Sequence, residues 1–150
     1  MKPLIVLITT FLISLIVIRF LQNEFNIPFA ARIAMSAMLI FTSIAHFAFI
    51  KGMIMMVPGF IPFKTGFVYL TGTLEILAAM SLQMRDYRVL TGWFLIIFFL
   101  LLLPANINAA VRKVDYQKGN LEGSGTNYLW FRVPLQILFI VWTYFSAIKF

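Results

Sequence analysis

Five polar side chains set in apolar sequence, His46, Glu75, Asn106, Arg132 and Gln136, are the residues through which this chain could do chemistry. Insertion scales charge about 2.5–3.5 kcal/mol for an aspartate at the centre of an apolar helix, and a glutamate there is similarly costly. Such an acid either serves a site or holds helices in register through a partner. For Glu75 the candidate partners are Arg132, by an ion pair, and Asn106, by a hydrogen bond. His46 reads as a ligand-facing imidazole or an interhelical one. Arg132 reads as a pocket cation or as a side chain snorkelling to lipid phosphates. Asn106 and Gln136 read as pocket groups or as interhelical glue.

Several chemistries are excluded by type and spacing. The chain has 1 histidine and 0 cysteines, so it offers neither bis-histidine haem ligation nor a thiol redox step by itself. His46 and Glu75 make a poor metal set without further ligands. Gly119, Gly123 and Gly125 follow no strand and open no phosphate-binding α/β unit. No elbow motif accompanies a serine that could use His46 as its base. There is no self-contained catalytic motif, and the chain reads as something other than an enzyme acting alone.

What positions these residues follows from composition. Of 150 residues, 62% are hydrophobic and 11% charged, against about 45–50% and about 25% in a soluble globule. The outer surface therefore faces lipid. Apolar runs of 18–21 residues cover 4–22, 33–50, 67–84, 89–109 and 129–148, and only Arg19, Glu75 and Arg132 among the charged residues fall inside them. About 20 residues at 1.5 Å rise cross a hydrocarbon core of about 30 Å. Backbone groups in lipid must be satisfied within the segment, which makes each run a helix and the fold class all-α, a polytopic membrane protein. Lys2 before the first run suggests a signal peptide, but no small-x-small cleavage site follows, and a retained span is the expectation.

Alternating spans place Met1 and the 51–66 and 112–127 loops on one side, side A, and the 23–32 loop, the 85–88 turn and Phe150 on side B. Polar residues of four runs then fall in the A half: His46, Glu75, Asn106 with Asn108, and Arg132 with Gln136. Helical spacing gives each set a shared face, as in Ser36, Ser43 and His46, or Gly72, Glu75 and Ala79. Gly72 and Ala79 allow close helix approach. The tight 85–88 turn makes the third and fourth runs antiparallel neighbours. The 51–66 loop, apolar and marked by Pro58 and Pro62, should lie at the interface or over the bundle mouth, whereas 112–127 reads as an ordinary solvated loop. Trp93, Trp130 and Trp142 read as interface anchors. Lysines and arginines divide too evenly to orient the chain. The net charge of +7 suits an anionic membrane surface, and no basic stripe with interleaved aromatics suggests nucleic acid.

His46-Phe47, the Pro58 and Pro62 loop, Gly72-x-x-Glu75, Leu103-Pro104-Ala105-Asn106-Ile107 and Arg132-Val133-Pro134-Leu135-Gln136 occur in the order found in the DoxX-like family of small bacterial membrane proteins, which this chain resembles over residues 30–150. The resemblance implies a four-helix bundle over 30–150, to which residues 1–29 add an N-terminal transmembrane helix and its connection. It also implies a multi-pass protein of the inner (plasma) membrane with side A extracytoplasmic. Family members are associated with thiosulfate:quinone oxidoreduction, oxidative-stress assemblies and receptor-assembly chaperoning; roles resting on cysteine pairs do not transfer here. The expectation is a polar pocket in one leaflet, lined by the five residues above, that binds a small amphipathic ligand such as a quinone or lipid. Its alternatives are an accessory, structural or assembly subunit of a larger membrane complex, and a subunit of a membrane oxidoreductase whose cofactor sits on another chain.

Overall fold

The computed structural model describes residues 2–150. Six α-helices follow in chain order: α1 (Lys2–Gln22), α2 (Ile27–Ala48), α3 (Ile50–Met56), α4 (Lys64–Ser81), α5 (Arg88–Val111) and α6 (Asn127–Thr143). α6 continues as a π-helical segment, Tyr144–Lys149. Among the described residues the only β-type pairing is an isolated bridge between Asp115 and Asn120. The chain is an all-α membrane bundle: α1, α2, α5 and Asn127–Lys149 are each long and apolar enough to cross a membrane. α4, the expected third span, has 18 residues, about 27 Å of helix, but Lys64, Glu75 and three threonines make it less apolar than the others.

Local chemistry sets the boundaries. α1 stops at Asn23, which adopts the left-handed conformation (φ 58°) that asparagine tolerates. Asn26 then caps α2, its side chain accepting from the Phe29 N–H at 3.1 Å, and Pro28 occupies the first turn without a lost donor. α2 thus begins six residues before the apolar run at 33. Pro104 lies inside α5 without ending it, its side exposed to the outside.

Packing is uneven around the bundle. α1 lies along α2, α2 along α4, α5 along α6, and the π-helical segment returns against α5 and α2. α4 and α5, consecutive in the chain and antiparallel, hardly touch. The turn orders them in direction but does not pack them, because α4 is fastened to α2 instead. The Ser36 hydroxyl donates to Ala79 O at 2.8 Å, Gln83 donates to Ser36 at 2.6 Å, and a Cβ on Gly72 would come within 2.8 Å of His46 Cβ. The core runs through Leu7, Met35, Met38, Leu39, Leu82, Leu95, Phe99 and Phe139, while Ile13, Ile16, Leu90 and Leu101 point outward. An outward apolar surface of that kind is what lipid solvates.

The two loops on the α3 end close it. Segment 51–66 folds over the bundle mouth, as α3 and a buried Val57. The 112–127 segment is more than a solvated loop. A Cβ on Gly52 would collide with the Tyr116 carbonyl, and Tyr116 stacks edge-on against Phe49 at 6.0 Å, so this loop is pressed directly onto α3. Trp142 is likewise no free anchor: its indole N–H donates to Ala31 O at 3.0 Å and its ring meets Phe11 at 5.0 Å. Trp130, 83% exposed, keeps the anchor position.

Candidate functional site

The space left between α4 and α5 is a cavity of about 120 Å³. Its walls are α2 (Thr42, His46), α4 (Thr71, Glu75), α5 (Ala105, Asn106) and α6 (Arg132, Gln136), and its roof is Met53, Met56 and Val57 with Tyr116 and Tyr128. All five residues singled out from the sequence line it. The spacing brings them there: Thr42 and His46, Thr71 and Glu75, and Arg132 and Gln136 are each one helical turn apart, so each pair shares a face.

Glu75 is 4% exposed and faces His46, with Oε2 3.6 Å from Nε2. The Thr42 hydroxyl, which also lies 3.0 Å from Leu39 O, donates to the same carboxylate oxygen at 3.2 Å. Neither Arg132 nor Asn106 reaches Glu75, contrary to the partners expected from sequence. α4 packs on α2, so the partners come from α2.

His46 is held on its other side by Thr71, whose Oγ1 lies 3.1 Å from Nδ1 and also near Phe67 O and Val68 O. Where the acid is ionised, Nε2 carries a proton toward it. Two arrangements satisfy that: a neutral ring accepting from Thr71 at Nδ1, or an imidazolium donating to Thr71. The threonine hydroxyl can serve either because it both donates and accepts.

Across the cavity the amides form a second chain. Asn106 donates to Gln136 Oε1 at 3.4 Å, and Gln136 donates to Phe99 O. That carbonyl precedes the Leu100 carbonyl, which Pro104 leaves without its helical donor. Arg132 stands beside them with its Nε buried and without a hydrogen-bond partner among the described residues. The roof is tied down from α5: Asn108 donates to Met56 O at 2.9 Å and Arg112 to Met55 O at 3.2 Å.

The cavity therefore has a carboxylate–imidazole wall and an amide–guanidinium wall with apolar surface between them. Among the described residues no three histidines, aspartates or glutamates converge as metal ligands do. Sequence reasoning missed Thr42 and Thr71, although their four-residue spacing from His46 and Glu75 would have found them. It also missed Tyr116 and Tyr128, for which the sequence carries no local signal.

Residues 35–147 match a family described as Domain of unknown function (DUF8561). No curated protein and no solved structure matches the chain. The matched stretch includes both polar walls of the cavity, while α1 lies before it.

Proposed function

Since the chain belongs to the DUF8561 family, whose description names no activity, we propose from the cavity itself that this is a binding or accessory membrane protein that holds the polar head of a small amphipathic molecule, a quinone or a lipid. The observation that carries the proposal is the convergence of His46, Glu75, Asn106, Arg132 and Gln136 from four helices on one cavity of about 120 Å³. A pocket with an apolar lining and a few convergent polar groups is the usual form of a small-molecule site. Apolar cavities of about 150 Å³ take up benzene, so the size suits a single ring or a compact headgroup. The unpartnered Arg132 Nε offers a donor to a carbonyl or anionic oxygen.

A second reading has an observation of its own. Glu75 finds both its partners, His46 and Thr42, within the protein, which suits a network that fixes the bundle of a structural or assembly subunit. The motif order shared with DoxX-like proteins supports extending the proposal to kinship with that family and to a place in a bacterial inner membrane.

The test is native mass spectrometry of protein extracted from its own membrane. Ligand binding predicts a bound mass that Glu75→Gln or Arg132→Gln weakens. The structural reading predicts no bound mass, a lowered Tm in Glu75→Gln, and stable co-purification with another membrane protein.

A further inference from the structure

The bundle end opposite α3 holds a second cluster that the cavity does not use. Arg32, in the second turn of α2, donates from Nη1 to Ser146 O at 2.9 Å. Arg88, the first residue of α5, comes close enough for its charge to act on Arg32. Gly92, one turn further on, explains the approach: a Cβ there would lie 2.9 Å from Ile148 Cγ1, so the start of α5 is pressed against the C-terminal segment.

Two of the buried polar atoms without a hydrogen-bond partner among the described residues are here, Arg88 Nε and Ser146 Oγ. Ser146 is 3% exposed. Among the described residues neither arginine has a carboxylate within ion-pair distance; the only such pair is His46–Glu75, at the other end. Asp86 and Glu24, the acids nearest in sequence, are exposed. Guanidiniums near enough for their charges to interact repel unless an anion lies between them, and buried donors without partners are costly.

We infer that Arg32, Arg88 and Ser146 form a binding site for a phosphate oxyanion, supplied by the headgroup of an anionic phospholipid. Guanidinium forks match the paired oxygens of a phosphate, and the serine hydroxyl supplies a further donor. The position suits a lipid. Trp93 and Tyr144, edge-on to each other at 6.5 Å and both partly exposed, flank this end as interfacial aromatics do. Leu90 and Phe145 present apolar surface beside the cluster for acyl chains. Basic pockets between membrane helices bind phospholipid headgroups by this chemistry.

The full-length protein, stripped of lipid in a neutral detergent, is titrated with phosphatidylglycerol or phosphatidylcholine and read by native mass spectrometry. Phosphatidylglycerol should bind about tenfold more tightly, a difference of about 1.4 kcal/mol, and more weakly as salt rises. Arg88→Gln, which gives up no side-chain hydrogen bond among the described residues, should abolish the preference; Arg32→Lys should reduce it; Lys118→Gln, on an exposed loop at the other end, should leave it intact. Inorganic phosphate that binds wild type but not Arg88→Gln, with no preference between the two lipids, would keep the oxyanion site and reassign its source to solution. Equal binding of both lipids with no phosphate effect, or a preference that survives in Arg88→Gln, overturns the site.

Discussion

At the α3 end, the buried carboxylate of Glu75 meets His46 and Thr42 inside the protein, whereas at the opposite end Arg32 and Arg88 lie near enough for their charges to interact and, among the described residues, neither has an acid within ion-pair distance. Glu75 is closed electrostatically by its neighbours but borders empty space that Arg132 also lines; the second arrangement is packed but open electrostatically. A charge with an internal partner shapes a cavity, and a charge without one calls for a partner from outside. The seams follow the same division. α4 is locked to α2 through Gly72 and the Ser36–Ala79 and Gln83–Ser36 bonds. Its other side, toward α5, is left unfilled, and the cavity lies there.

Removing the internal partner should break the comparison most. His46→Leu leaves Glu75 buried with Thr42 alone, an expected loss on the order of 3 kcal/mol. Equilibrium unfolding in mixed micelles measures it. Glu75→Leu combined with His46→Leu should recover much of that loss, since no unpaired charge remains. A double variant no more stable than His46→Leu would show that packing, rather than charge, governs this end.

Gly52→Ala comes next. Its Cβ meets the backbone of Tyr116, which cannot swing aside, so a loss of about 1–3 kcal/mol is expected. The loop at 112–126 should become faster to cleave by protease, while the Arg32–Arg88 end stays unchanged. Glu75→Gln is milder, about 1 kcal/mol, because an amide can still accept from Thr42. Trp142→Phe, which gives up the bond to Ala31 O, should cost about the same or less by the same measurement.

The apolar runs and five polar residues of the cavity, His46, Glu75, Asn106, Arg132 and Gln136, were legible in the sequence because both depend on local spacing: run length against bilayer thickness, and polar residues one or two turns apart. Which helix packs on which was not. The 85–88 turn suggests an α4–α5 seam, and only the close approach at Gly72, with Ser36 bonded to Ala79 across to α2, decides for α2. Glu75 therefore pairs with His46 rather than with Arg132 or Asn106. The role of Tyr116 escaped for a related reason, since the collar it forms with Gly52 joins residues far apart in the chain. Arg32, Arg88 and Ser146 carry no shared signal in the sequence, because what brings them to one end of the bundle is the packing of the C-terminal segment against α2 and α5.

The central claim is that the space between α4 and α5 is a ligand site, and filling that space tests it most directly. Ala105 lines the cavity, and Ala105→Phe places a ring where the ligand head would sit. Native mass spectra of wild type and Ala105→Phe, each extracted from the same membrane, should show a bound species in the first that is missing from the second, with both variants unfolding at similar Tm. A wild-type protein that carries no bound species, or one whose bound species persists unchanged in Ala105→Phe, would contradict it.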